Sequence, residues 1–117
     1  PTNSNLIETL NTRSDHQNLK SKEIFNPFVK MMNYKTGTIN YKKQWLIFDQ
    51  MLFSKNFVQQ NATLKWEISK IFNPNKLLNF TAVDVNLPIK TFEGKKYIGG
   101  PSDHFPIYSI INLKFDE

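Results

Sequence analysis

The segment Gly99–Leu113, GGPSDHFPIYSIINL, constrains this 117-residue chain more than any other. Gly99 and Gly100 admit backbone angles that other residues resist, while Pro101 and Pro106 stiffen the two ends, so Asp103 and His104 are predicted to sit on a constrained loop. From Pro106 onward, Ile107, Tyr108, Ile110, Ile111 and Leu113 have the length and β-branched content of a buried strand. An acid and an imidazole thus stand at a strand's entrance, where side chains converge on a bound group. The same residues also suit a turn in which Asp103 caps the backbone and His104 is a satisfied structural side chain.

Upstream, the run Ile39–Phe53, INYKKQWLIFDQMLF, carries strand character, loosely alternating at first and almost continuously apolar from Trp45. Asp49 and Gln50 interrupt the apolar part. An ionised carboxylate buried without a partner costs several kcal/mol, so Asp49 must meet a cation or hydrogen-bond donors, or emerge at the strand's end. A strand-end residue bonded to backbone N–H groups satisfies the same requirement. Leu64–Phe72, LKWEISKIF, alternates as a half-buried strand does.

Helical signals are few and short. Asn5-Leu6-Ile7-Glu8 predicts a helix over about residues 5–11, and Asn26-Pro27 is a cap followed by proline at the first helical position. Phe28, Val29, Met31 and Met32 give that second helix an apolar face, closed by Asn33. Asn73-Pro74-Asn75 repeats the signal, predicting one helical turn at Lys76-Leu77-Leu78. Residues 12–23 are polar and aperiodic, as in an exposed loop; Thr36-Gly37-Thr38 marks a turn; residues 79–98 form a long excursion with one short strand near Tyr97.

The length suits one small domain or part of a larger one. With no cysteine, disulfides and thiolate metal sites are excluded. No run of about 18 apolar residues offers a membrane span, and localisation is not legible. The net charge of +5 comes almost wholly from lysine, Arg13 being the lone arginine. Lysine favours diffuse attraction to phosphates over bidentate recognition, although a lysine- and asparagine-rich composition yields the same charge with no ligand. No P-loop, dinucleotide fingerprint, paired-histidine metal motif or serine nucleophile elbow occurs.

Together, FDQMLFS at 48–54 and GGPSDHFPIY at 99–108 resemble the last two motifs of the endonuclease/exonuclease/phosphatase superfamily, Asp-x-Ile/Met-Leu-x-Ser and Ser-Asp-His-x-Pro. GTINYKKQWLIFDQ and KIFNPNKLL are similar to its Bacteroidetes-type subgroup, and Pro1-Thr2-Asn3-Ser4 resembles the stretch after its Gly-Asp-Phe-Asn motif. Pro101 departs from the pattern, since an aromatic residue often precedes the serine. The resemblance implies an α+β fold: a mainly antiparallel sheet with flanking helices, one half of a four-layer α/β/β/α sandwich.

It further implies that His104 contacts a scissile phosphate, that Asp49 hydrogen-bonds the other ring nitrogen and fixes its tautomer, and that Asp103 binds metal or orients the attacking water. The reaction would be phosphodiester or phosphomonoester hydrolysis with Mg²⁺ or Mn²⁺. The family's metal-binding Glu, an upstream His and the Asp-x-Asn pair would precede Pro1, so the expectation is the C-terminal portion of one domain over 1–117, inactive alone. Its expected partners are a phosphate-containing substrate, nucleic acid among the candidates, and either the missing N-terminal half or a second copy on an apolar sheet face. The alternative is a non-catalytic, basic, β-rich binding module of the same fold.

Overall fold

Short strands dominate because apolar runs in this chain rarely exceed a few residues before a turn signal. A computed structural model describes residues 8–32, 35–74, 77–79 and 86–115. Among them are a helical stretch at 8–10, two 3-10 helices and eleven strands, which makes the class α+β. Pairing is antiparallel except between β1 (Thr12–Arg13) and β2 (Ile24–Phe25), which run parallel. The helix expected at 5–11 is seen at 8–10; Asn11, with φ of 51°, lies beyond its end, while residues 5–7 and the closing Asn33 lie outside the described residues.

The chain divides into two compact units. The first draws on Pro1–Met31, Gln50–Lys70 and Ser109–Glu117. Here β2 pairs on its other edge with β5 (Phe53–Ser54), and Lys55–Phe57 forms a 3-10 helix. Leu19, Phe25, Phe53 and Val58 form the buried core, with Met51, Phe57, Trp66 and Ile111 packed against it. The rings of Phe25 and Trp66 meet edge to face at 4.7 Å, the preferred geometry for an aromatic pair. The unit also holds most of two long strands, β6 (Leu64–Ile71) up to Lys70 and β11 (Ile107–Leu113) from Ser109. The Lys114 N–H donates to the Thr63 carbonyl and the Ser69 hydroxyl meets that of Ser109 at 2.6 Å, so they run antiparallel. The Trp66 indole donates to Ser69, and Ser109 to the Met51 sulfur, which satisfies the hydroxyls set between these strands.

The cap-then-proline signal holds. Asn26 is fully buried, its side-chain oxygen accepts the Phe28 N–H at 3.0 Å, and Pro27–Met31 follows as a 3-10 helix burying Phe28. The Asn26 amide also donates to Gln50 at 2.6 Å. The apolar face stops short of Met32, which is exposed.

The second unit comprises Met32–Asp49 and Ile71–Tyr108. It contains the antiparallel pairs β3 (Ile39–Tyr41) with β4 (Gln44–Leu46), β7 (Leu78–Asn79) with β8 (Leu87–Pro88), and β9 (Phe92–Glu93) with β10 (Lys96–Tyr97).

Several expectations are corrected. The run 39–53 is not one strand: Lys42 and Lys43 take φ of 49° and 65° and reverse the chain between β3 and β4. A two-residue hairpin needs that geometry, but Asn and Gly normally announce it and Lys-Lys does not. Nor is the second part covered on both faces, since Phe48 is exposed and Trp45 and Leu46 are half-buried. Residues 12–23 are not simply an exposed loop, because β1 forms there and Thr12, Leu19 and Glu23 are buried. The helical turn expected at Lys76-Leu77-Leu78 closes at Leu77, whose N–H donates to the Pro74 carbonyl at 2.9 Å; Lys76 lies outside the described residues, and Leu78 already belongs to β7, paired with β8. The excursion 79–98 carries three strands, β8 to β10, with the expected one at Tyr97. Finally, β11 is buried on neither face: Tyr108 and Ile110 are exposed while Ile107, Ser109 and Ile111 are half-buried.

Burial of Glu23 is compensated locally. Its carboxylate accepts the Lys20 N–H at 2.9 Å and the Arg13 side-chain N–H at 2.9 Å. The Lys20 bond, reinforced by Arg13 and opposed by desolvation, holds the Glu23 carboxyl below the usual carboxylate range. A folded-state value below the unfolded one means that the unfolded chain binds more protons between the two, so this stabilisation is complete above the unfolded value and lost as pH falls through the folded one. Glu23→Gln should therefore lower the urea midpoint near neutral pH, and the gap to wild type should narrow as the pH falls below the ordinary glutamate range.

Candidate active site

The constrained loop and the interrupted apolar run meet within the second unit. Asp49 Oδ2 lies 2.6 Å from His104 Nδ1 across a separation of 55 positions. The contact is partly open to solvent, the side chains being 37% and 33% exposed respectively. Asp49 is thus not the buried carboxylate its apolar neighbours predict. It emerges beyond β4 and is paired as well, so it bears little desolvation cost. A carboxylate oxygen accepts a hydrogen bond, so the contact suits a ring protonated at Nδ1, with Nε2 open to another group.

Thr38 fixes this geometry. It is fully buried, and its hydroxyl oxygen accepts the N–H of Phe48 at 3.0 Å and of Asp49 at 3.2 Å. Its own N–H donates to Leu46 at 2.8 Å, and its carbonyl accepts the Phe105 N–H at 2.7 Å. One residue therefore grips the backbone of the Asp49 segment through its side chain and that of the His104 loop through its carbonyl. Ile39 adds an antiparallel bridge to His104. Gly37 is buried beside this junction, where a Cβ would run into the Leu46 carbonyl, so only glycine allows the approach.

The loop is also held from its own side. The His104 N–H donates to the Ser102 hydroxyl at 2.9 Å, a local turn that presents the imidazole. Phe105 is buried, with its ring stacked on Trp45 at 5.9 Å, anchoring the residue after His104. Gly99 takes φ of 82°, and the Gly100 N–H donates to the Lys90 carbonyl at 3.1 Å. A Cβ on Gly100 would meet the carbonyl of Ile89, which accounts for the glycine pair. The Phe48 ring stands 6.5 Å from the His104 ring.

Sequence reasoning paired Asp49 with His104, and the structure brings them together. Asp103 is exposed beside His104 in the chain and has no protein partner among the described residues. Gln50, the other polar residue of that run, is occupied with Asn26 in the first unit. Thr38 was legible only as part of a turn, because nothing in Thr-Gly-Thr says where its hydroxyl will reach. Among the described residues no group of three or more His, Cys, Asp or Glu could hold a metal ion. No helix among them is long and apolar enough to cross a membrane.

The Thr38 arrangement has a measurable cost when broken. Thr38→Val keeps the shape but strands two backbone N–H groups, which should cost about 2 kcal/mol in urea unfolding. Thr38→Ser keeps the acceptor and gives up one buried methyl, about 0.8 kcal/mol. Equal losses for the two variants would mean that the hydroxyl does not hold the Asp49 segment.

The comparisons with known proteins accord with this geometry. No curated protein and no solved structure matches the chain. Residues 1–113 match the family described as the Endonuclease/Exonuclease/phosphatase family, a span that contains Thr38, Asp49, Asp103 and His104. With nearly all of its length matched, the chain belongs to the Endonuclease/Exonuclease/phosphatase family, whose members are phosphoesterases and nucleases acting on phosphate-containing substrates.

Proposed function

We propose that this chain carries the Asp49–His104 portion of a divalent-metal-dependent phosphoesterase that hydrolyses phosphodiester or phosphomonoester bonds. The observation that supports it most is the 2.6 Å contact between Asp49 and His104. Asp49 orients the imidazole through Nδ1, leaving Nε2 to meet a phosphoryl oxygen, and stabilises the ring when it is charged against that oxygen. His104 is a catalytic residue in this reading and Asp49 a positioning one. Asp103 is exposed, so water and a phosphate can reach it.

Mg²⁺ usually takes one or two carboxylates along with water and substrate phosphate. Asp103, an unpartnered exposed carboxylate next to the imidazole, fits as one such ligand, with Mn²⁺ as the other candidate ion. The bound ion would neutralise charge on the phosphoryl oxygens. Asp49 is committed to His104, and in this reading an N-terminal portion of the same domain supplies further ligands. That assignment makes residues 1–117 one half of a four-layer sandwich. The exposed Tyr108 and Ile110 of β11 then offer an apolar strip for that portion, or for a second copy of the chain, to cover.

In the intact protein, His104→Ala and Asp103→Ala should each lower hydrolysis of bis-p-nitrophenyl phosphate by about 10² or more, and Asp49→Asn by about 10- to 100-fold. EDTA should abolish turnover. The 117-residue chain alone should show none, with activity returning when the N-terminal portion is added in trans, because groups that act as one constellation fail together. EDTA-insensitive turnover, or turnover unchanged by His104→Ala, contradicts the proposal. An intact protein that is folded but inert on every phosphoester favours the binding-module alternative.

A further inference from the structure

Among the described residues no hydrogen bond joins the β9–β10 hairpin to the Asp49 or His104 side chain, yet the hairpin exposes two aromatic rings. Phe92 is 54% exposed and Tyr97 67% exposed, and the two are directly opposed in register with ring centroids 5.4 Å apart. Ile98, just beyond, is also exposed. An aromatic pair left on a two-stranded ribbon gains little from burial in place, so its exposure points to something that covers it. The ribbon is lysine-rich as well: Lys90, Lys95 and Lys96 stand against a single Glu93, all exposed.

The ribbon is tied to the His104 loop by backbone. The N–H groups of Ile98 and Gly99 both donate to the Thr91 carbonyl, at 2.9 and 3.3 Å, and that of Gly100 donates to Lys90. The Tyr97 ring lies against Gly99, where an added Cβ would touch it at 3.7 Å. Whatever the ribbon grips is therefore held by the same backbone that leads into Ser102–His104.

We infer that the Phe92–Tyr97 face of this hairpin is a stacking platform for the bases of single-stranded nucleic acid, with the neighbouring lysines attracting its phosphates. Aromatic faces accept any base, and lysines meet the backbone without reading sequence, the combination that nonspecific single-strand binders use. A bilayer is the other partner for exposed aromatics, but the tip of this ribbon is wrong for it. Gly94, with φ of 60°, makes the turn together with Lys95, and Glu93 and Lys96 flank it, so charges lead and the aromatic pair lies behind them. The inference rests on the phosphoesterase reading for its choice of a phosphate-linked partner.

The test is fluorescence anisotropy on the 117-residue chain in EDTA, where no metal-dependent hydrolysis intervenes. A labelled oligothymidylate of about twelve nucleotides is compared with an abasic strand of equal length and charge. The thymidylate should bind about tenfold more tightly. Phe92→Leu with Tyr97→Leu keeps apolar bulk but removes the π-faces, and should erase that difference while leaving the abasic strand's affinity unchanged. Lys90→Gln with Lys95→Gln should weaken both strands alike and flatten the salt dependence. Equal binding of the two strands by the wild-type chain overturns the inference, as does tighter, aromatic-dependent binding to phosphatidylserine vesicles. Base-dependent binding by a protein inert on every phosphoester sinks the catalytic reading and leaves this one standing. Turnover of nucleic acid that the leucine variant leaves intact does the reverse.

Discussion

Four hydrogen bonds through Thr38 hold the candidate site together. Two chain segments must keep a carboxylate and an imidazole 2.6 Å apart although 55 residues separate them and neither side chain is buried. Solvent competes with a half-exposed contact, so the contact cannot set its own geometry. Its precision has to come from the backbone. Thr38 supplies it because one buried residue presents three hydrogen-bonding groups in different directions, with the hydroxyl oxygen taking two N–H groups at once. Phe105, buried and stacked on Trp45, prevents the loop from sliding past that anchor.

What could be read from the sequence follows the range of the forces involved. Asn26-Pro27 predicted a capped turn, and Asn26 caps it, because that interaction spans two residues. β6 was legible because Leu64–Phe72 alternates as a half-buried strand does, a pattern that spans only neighbouring residues. The Lys42–Lys43 reversal was not, since two lysines with positive φ are tolerated by the strands they join rather than specified by their own chemistry. At Leu77 the local cap signal held, and one residue later pairing with β8 took Leu78 into a strand. For the site, Asp49 stood out as a carboxylate within an apolar run and His104 as an imidazole between glycines and prolines. The family resemblance joined them. Thr38 had no such contrast with its neighbours, and its role depends on which distant N–H groups arrive beside it.

The glycine pair at 99–100 serves two purposes with one backbone path. Gly100 lets the chain pass close to the carbonyls of Ile89 and Lys90, which fastens the His104 loop to the β9–β10 ribbon. Gly99 supplies the left-handed turn beside the Tyr97 ring. A ribbon of two-residue strands is weakly stable by itself, so its connection to the loop matters more than its own pairing. Loops positioned by a firm anchor are where binding and chemistry usually reside, and here such an anchor joins a ribbon with open aromatic rings to a loop that carries an imidazole.

The central claim is that Asp49 fixes which ring nitrogen of His104 carries the proton. Long-range ¹H–¹⁵N correlation spectra of the imidazoles, recorded at a pH where the His104 ring is neutral, read that directly. The account predicts the Nδ1–H tautomer for His104, with a hydrogen-bonded Nδ1 proton resonance that disappears in Asp49→Asn. A neutral His104 protonated at Nε2 in the wild-type chain would contradict it.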